Sequence, residues 1–114
     1  MKKLFFFLLI SVFSFSYEYY GAIAINVDTG GTGYSYDYSS RASAERAALN
    51  ACSGNCEIAL WFSNTCGAVA YSYQNRSYSW AWGSDSRSNE RKVLANCNGR
   101  DCQVMSSVCT TRYN

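Results

Sequence analysis

The tetrapeptide Gly-Ala-Ile-Ala at residues 21–24 returns as Gly-Ala-Val-Ala at residues 67–70, and this recurrence decides the fold. Farther along, Tyr-Ser-Tyr-Asp-Tyr at 34–38 returns as Tyr-Ser-Trp-Ala-Trp at 78–82. Glutamate-arginine pairs, leucines and cysteines follow in the same order, at a spacing of about 45 residues. Several matches in series at one offset indicate an internal duplication, which constrains the architecture before any single motif does.

Each copy has the pattern of two strands, a helix and a third strand. The second strand alternates aromatic with small or polar residues, which is the period of a half-buried strand. Ser40 and Asp85 stand where this period changes to helical spacing, and both are good helix N-caps. The predicted first strands are 22–27 and 68–73, the second strands begin at 34 and 78, and the third strands are 57–62 and 103–108.

The duplication therefore predicts an α+β fold. Two tandem strand-strand-helix-strand repeats, residues 20–65 and 66–114, are expected to form a largely antiparallel sheet or sheets. Two helices pack on them, and disulfides staple the structure. Together the repeats are expected to make a single domain over residues 17–114.

Residues 1–16 have the pattern of a secretory signal peptide. Lys2 and Lys3 precede the apolar stretch 4–13, and Ser14 and Ser16 supply the small residues of a cleavage site. An uncleaved anchor or a buried first strand is the alternative. No later segment approaches the roughly 20 apolar residues of a membrane helix. We expect a secreted or periplasmic protein without stable membrane insertion after cleavage.

The charge of the chain argues against nucleic acid as a partner. Of the 10 basic residues, Lys2 and Lys3 belong to the signal, which leaves 8 against 8 acidic residues and a neutral mature chain. Phosphate binding draws on clusters of lysine and arginine, and no such cluster is present in the sequence.

The 6 cysteines predict disulfides rather than a metal site. In each copy, one cysteine ends the helix and the next begins the third strand, so two local bridges are expected, and the leftover cysteines form the third. The predicted pairs are Cys52 with Cys56, Cys97 with Cys102, and Cys66 with Cys109. A zinc site made from the two local pairs is the alternative, but histidine is absent and neither spacing suits a zinc knuckle. No metal or cofactor is expected.

Glu45 and Glu90 are the candidates for catalysis. Without histidine, and with Lys92 as the only lysine after the signal, serine, cysteine and lysine nucleophile schemes lack their partners. Two inward-leaning carboxylates could serve a hydrolase acting on an envelope glycan. The other interpretation, which we favour, makes them structural carboxylates paired with neighbouring groups.

A helical wheel assigns one side of each helix to the sheet. Glu45 and Glu90 fall on that same side. The residues expected to face the sheet are Ala48, Leu49 and Cys52 in the first helix and Val93, Leu94 and Cys97 in the second.

The aromatic rows of the second strands have two interpretations. They could pack in the core, which is the interpretation we favour, or they could present a surface that binds a sugar, a protein or another envelope component. The rows consist of Tyr34, Tyr36 and Tyr38 in the first copy and Tyr78, Trp80 and Trp82 in the second.

Several strings of the chain together resemble a bacterial family of exported proteins, the domain of unknown function 4189. They are Tyr-Gly-Ala-Ile-Ala at 20–24, Ser-Arg-Ala at 40–42, Glu-Arg-Ala-Ala-Leu at 45–49, Cys52, Cys56, Leu-Trp-Phe at 60–62 and Cys-Gly-Ala at 66–68. The resemblance covers nearly the whole mature chain. It implies a secreted or periplasmic domain with structural disulfides and brings no catalytic residues with it. We expect a non-enzymatic interaction module, acting as an effector, an inhibitor or an envelope-binding protein.

Overall fold

The computed structural model describes residues 18–111 and contains six strands and two helices there. The predicted signal peptide lies outside these residues. In chain order the elements are β1 (Tyr20–Ile25), β2 (Thr32–Tyr38), α1 (Arg41–Ala51), β3 (Glu57–Ser63), β4 (Cys66–Ser72), β5 (Ser77–Gly83), α2 (Ser86–Asn96) and β6 (Gln103–Cys109).

The strands form two antiparallel three-stranded sheets, one from each copy of the repeat. Their orders are β2-β1-β3 and β5-β4-β6, so the Gly-Ala strands β1 and β4 are central. The side chains of Ser40 and Asp85 accept backbone hydrogen bonds at the starts of α1 and α2, as N-caps do. The predicted α+β fold with two tandem repeats is confirmed.

The two sheets pack face to face around a shared inner core. Successive residues of a strand point to opposite faces, so each central strand serves two layers. In β1, Ile23 and Ile25 join the inner core, whereas Ala22 and Ala24 pack against α1. The inner core consists of Ile23, Ile25, Leu60 and Phe62 from the first unit and Val69 and Tyr71 from the second. The helices therefore cover the two outer faces.

Small side chains let each helix lie close to its sheet. A Cβ atom on Gly33 would stand 2.5 Å from the carbonyl oxygen of Ala48. Beside it, the Ser35 hydroxyl donates to the carbonyl of Ala44 at 2.7 Å, and the Ser79 hydroxyl donates to that of Val93 at 2.6 Å. In β5, and in β2 as far as Tyr36, the small residues thus face the helix and the aromatic residues face the other sheet. The irregularity at Asp37 ends this alternation in β2, and Tyr38 pairs with Tyr20, which packs on the α1 side.

The helical wheel was wrong for both leucines. Leu49 is 37% exposed and Leu94 is 43% exposed. The buried helix residues are Ala44 and Ala48 in α1 and Asn89 and Val93 in α2. Close helix-sheet packing leaves no room for a leucine there, so the larger residue is turned outward.

Three disulfides staple the fold, and they are the pairs that the repeat predicts. Cys52–Cys56 and Cys97–Cys102 each close the short connection between a helix and the next strand. Cys66–Cys109 joins directly paired residues of β4 and β6 across 43 positions of sequence. At the corresponding place of the first sheet, Tyr20 pairs with Ser63, and there is no covalent link.

Candidate functional site

An apolar groove of about 460 Å³ lies between β3 of the first sheet and β5 of the second. Both are edge strands, so the groove opens along one side of the sandwich. The residues lining it are Ala59, Leu60, Trp61, Phe62, Ser63, Thr65, Trp80 and Trp82, none of which carries a charge.

Trp80 and Trp82 are the most exposed aromatic residues of this groove. They are 51% and 62% exposed, because β5 directs Ser79 and Ala81 toward α2 and turns its aromatic row toward the other sheet. β5 is itself a sheet edge, so the other sheet does not cover these rings fully. Exposed tryptophans at the mouth of an apolar cleft are typical of binding surfaces.

The floor of the groove is continuous with the inner core. Leu60 and Phe62 line the groove and belong to the core cluster as well. Tyr78, the third aromatic residue of β5, packs against that cluster and donates its hydroxyl to Glu57 at 3.0 Å. Burial and this hydrogen bond raise the pKa of Tyr78, so its hydroxyl remains a neutral donor.

The aromatic row of the first unit also lies largely outside the core. Tyr34 is 53% exposed and stacks on Tyr36, with ring centroids 6.4 Å apart. Here β2 lies over β6, and Asp37 accepts hydrogen bonds from Thr111, just beyond β6. Ala81 occupies the position of Asp37 in the second unit and offers no such link. Of the two interpretations, packing in the core, which we favoured, is therefore wrong for these rows, except in part for Tyr78.

Trp61 contributes to a second aromatic cluster at the outer side of β3. The guanidinium carbon of Arg41 lies 4.6 Å from the centroid of the Trp61 ring. The centroids of the Trp61 and Tyr20 rings are 6.1 Å apart. Arg41 in turn pairs with Glu45 at 2.9 Å. Glu45 is thus held in a surface ion pair one helical turn from its partner.

The structure does not bring Glu45 and Glu90 together. Glu45 lies on α1 and Glu90 on α2, and the two helices cover opposite faces of a two-sheet sandwich. Stacked sheets alone are about 10 Å apart. The carboxylates of glycoside hydrolases lie about 5–10 Å apart. A two-carboxylate site built on this pair does not fit the geometry.

Every cysteine in residues 18–111 forms a disulfide bond. The alternative of a zinc site therefore has no thiolate ligands. Over the same residues, no group of three or more histidine, cysteine, aspartate or glutamate side chains gathers in a way that could hold a metal ion.

Sequence reasoning missed the β3 wall of the groove. Leu60, Trp61 and Phe62 occupy the places that Ser106, Ser107 and Val108 have in the second unit. This difference between the copies could have indicated the groove. The repeated fold forms in the second unit without three large residues at this place, so their presence in the first unit calls for another reason.

The sequence model of the family described as Domain of unknown function (DUF4189) matches residues 20–109. No curated protein and no solved structure matches the chain. Neither of the helices found in residues 18–111 is long and apolar enough to cross a membrane.

Proposed function

Because the chain belongs to the DUF4189 family, whose description assigns no activity, we propose a function from its groove: an exported, non-enzymatic module that binds a partner protein. The observation that carries this proposal is the exposure of Trp80 and Trp82 beside an apolar groove. The partner would belong to the cell envelope or to a rival or host cell.

The groove is built to bind without rearranging. β5 pairs with β4 in regular register over its whole length, and Cys66–Cys109 fixes β4 to β6. A rigid site loses little conformational entropy when it binds. Tryptophan is also enriched among the residues that dominate protein interfaces.

The chemistry of the groove favours apolar side chains of a protein over a sugar. A glycan presents many hydroxyls that require hydrogen-bond partners, whereas the lining offers only the hydroxyls of Ser63 and Thr65 and the indole N–H groups of its tryptophans. Thr65 is moreover buried, and its carbonyl already accepts from Thr110. Apolar side chains of a partner protein would pack on Leu60 and Phe62 and so continue the inner core into the groove.

Export and the absence of catalysis belong to the same proposal. Three disulfides suit an oxidising compartment, in agreement with the predicted signal peptide. The sequence has no histidine, and Glu45 and Glu90 lie on opposite faces. These features support binding rather than chemistry as the role of the groove.

The test is affinity capture from the envelope and secreted fractions of the producing cells and of the cells they contact. The bait is the oxidised protein, and the test variant is Trp80→Ala/Trp82→Ala. The matched control is Tyr36→Ala/Tyr38→Ala, which removes the corresponding pair from the first unit. Both control positions are exposed aromatics.

We expect one protein to be captured by the wild type and by the control and to be lost with the tryptophan variant. Direct titration of that purified protein should then show binding weakened at least about tenfold, as loss of a tryptophan hot spot does. Equal capture by both variants would contradict the proposal.

A further inference from the structure

The four edge strands of the sandwich differ in how far they are protected against pairing with another strand. β2 and β3 each pair with β1 through a register irregularity, and β6 pairs with β4 through another. Such irregularities, with charges and prolines, are the usual means by which edges avoid further pairing.

β5 has none of these protections. Its pairing with β4 is regular from Ser77 to Gly83, and the strand contains no charged residue and no proline. Its counterpart β2 carries Asp37 in a left-handed conformation, with φ of 62°, and is linked to Thr111. Within residues 18–111, no strand borders the outer edge of β5.

The residues of β5 are self-complementary about Trp80. Reading outward in both directions, Ser79 and Ala81 are small, and Tyr78 and Trp82 are aromatic. In an antiparallel pair centred on Trp80, aromatic residues would stand opposite aromatic residues on one face, and small residues opposite small ones on the other. Cross-strand aromatic pairs stabilise sheets.

We propose that β5 pairs with β5 of a second copy of this chain, antiparallel and centred on Trp80. The contact is isologous, as in most twofold dimers. It joins the two β5-β4-β6 sheets into one sheet of six strands. The interface is narrow, so the dimer forms reversibly with concentration.

Charge favours the antiparallel direction of this pairing. Arg76 precedes β5 and Asp85 follows it, and both are exposed. Antiparallel pairing therefore brings the Arg76 end of one copy to the Asp85 end of the other, twice about the axis. Arg76 lies in the turn before the strand, with φ of 52°, so it is not itself a paired position of the strand. A formally neutral mature chain also adds little repulsion between copies.

Self-pairing goes beyond the proposed function and does not depend on it. The Trp80 and Trp82 side chains lie on the sheet face that lines the groove, and the new hydrogen bonds form at the strand edge. The dimer would therefore place two grooves side by side across the axis. A partner with two equivalent segments would bind both.

The test measures the oligomeric state of the purified, oxidised protein by sedimentation velocity over a range of concentrations. We expect the mass to rise from that of one chain to that of two. Trp80→Lys places two lysines opposite each other at the axis and should weaken association about tenfold or more. Tyr36→Lys, the same change at the corresponding position of β2, should leave association unchanged.

A charge swap distinguishes pairing at Trp80 from general disturbance. The Trp80→Lys and Trp80→Glu variants should each self-associate weakly when alone, and they should associate with each other when mixed. In the wild type, alternate amides of 77–83 should gain protection from hydrogen exchange as concentration rises, while those of β2 do not. A wild type that stays monomeric throughout, or a dimer that Trp80→Lys does not weaken, would overturn the proposal. Neither result bears on capture of a partner.

Discussion

The carboxylate of Asp37 accepts hydrogen bonds from both the backbone N–H and the hydroxyl of Thr111, the former at 2.9 Å. Asp37 belongs to the edge strand β2 of the first unit, and Thr111 follows the edge strand β6 of the second. The pair closes one end of the sandwich. At the other end Ala81 replaces the aspartate, and the groove lies open.

Removing this link should destabilise the protein without opening its core. Asp37→Ala loses both hydrogen bonds and also puts an ordinary residue at φ of 62°. We expect a loss of about 1–3 kcal/mol in the free energy of unfolding, measured by urea titration. Asp37→Gly is the matched control, because it loses the link but suits the backbone, and should cost less. Equal losses would mean that backbone strain contributes nothing.

The hydroxyl of Tyr71 joins the two units within the core. Tyr71 is fully buried, and it donates to the carbonyl of Val27 at 2.6 Å. Tyr71→Phe keeps the ring and leaves that carbonyl without its partner, so unfolding should become easier by about 1–3 kcal/mol. Tyr73→Phe removes an exposed hydroxyl nearby and should be neutral. If the two variants are equally stable, the bond does not contribute.

The same hydroxyl predicts a loss of stability in alkali. Burial raises the pKa of Tyr71 above its ordinary value of about 10. Its contribution is complete below the ordinary value and is lost as pH rises through the raised one, because the unfolded chain ionises first. Between pH 9 and 12, the wild type should therefore lose more stability than Tyr71→Phe. Parallel curves from urea titration would contradict this assignment.

The carboxylate of Asp101 should make the stability of the protein depend on pH in acid. The Ser72 hydroxyl donates to its carboxylate at 2.7 Å, and the backbone N–H of Gln74 donates at 3.0 Å. These hydrogen bonds, that of Ser72 foremost, lower the pKa of Asp101. Its contribution is present above the ordinary aspartate pKa of about 4 and is lost as pH falls through the lowered value.

Unfolding measured from pH 6 down to pH 2 should separate Asp101→Asn from the wild type. The wild type should lose more stability over this interval, because the variant has no carboxylate to protonate. Asp28→Asn serves as the control, since Asp28 is an exposed aspartate in a turn of the first unit. An identical pH dependence for wild type and Asp101→Asn would rule out the proposed role.

The long disulfide should stabilise the protein more than either short one. Cys66–Cys109 joins residues 43 positions apart in sequence, whereas Cys52–Cys56 joins residues only 4 positions apart. Loop entropy in the unfolded chain gives about 4 kcal/mol for the long bridge and about 2 for the short one. Replacing each pair by alanines and comparing urea unfolding tests this order. A larger loss from the short pair would reverse it.

The sequence alone was sufficient for the repeat, the order of strands and helices along the chain, and the cysteine pairing. If the third strand lies beside the first, Cys66 at the start of β4 meets Cys109 at the end of β6. Such relations follow from order along the chain and from strand geometry. They hold whatever fills the core.

Which face of β2 and β5 is buried could not be decided in the same way. Strict alternation shows that two faces differ, but tyrosine and tryptophan suit either a core or a surface. The deciding contacts are tertiary: Gly33 and Ser35 approach α1 too closely for larger residues. The groove could not be predicted from the sequence for the same reason. It forms because β3 lies over β5, and no local sequence pattern specifies how two sheets stack.

The shared inner core has a consequence for how the protein matures. Ile23 and Ile25 are covered only when β4 brings Val69 and Tyr71 against them, so the first unit cannot finish folding before the second has emerged. During synthesis, the apolar inner face of the first sheet would therefore stay uncovered until the second unit has been made. The Cys66–Cys109 bridge can form only after that point, because Cys109 ends the last strand of the second unit.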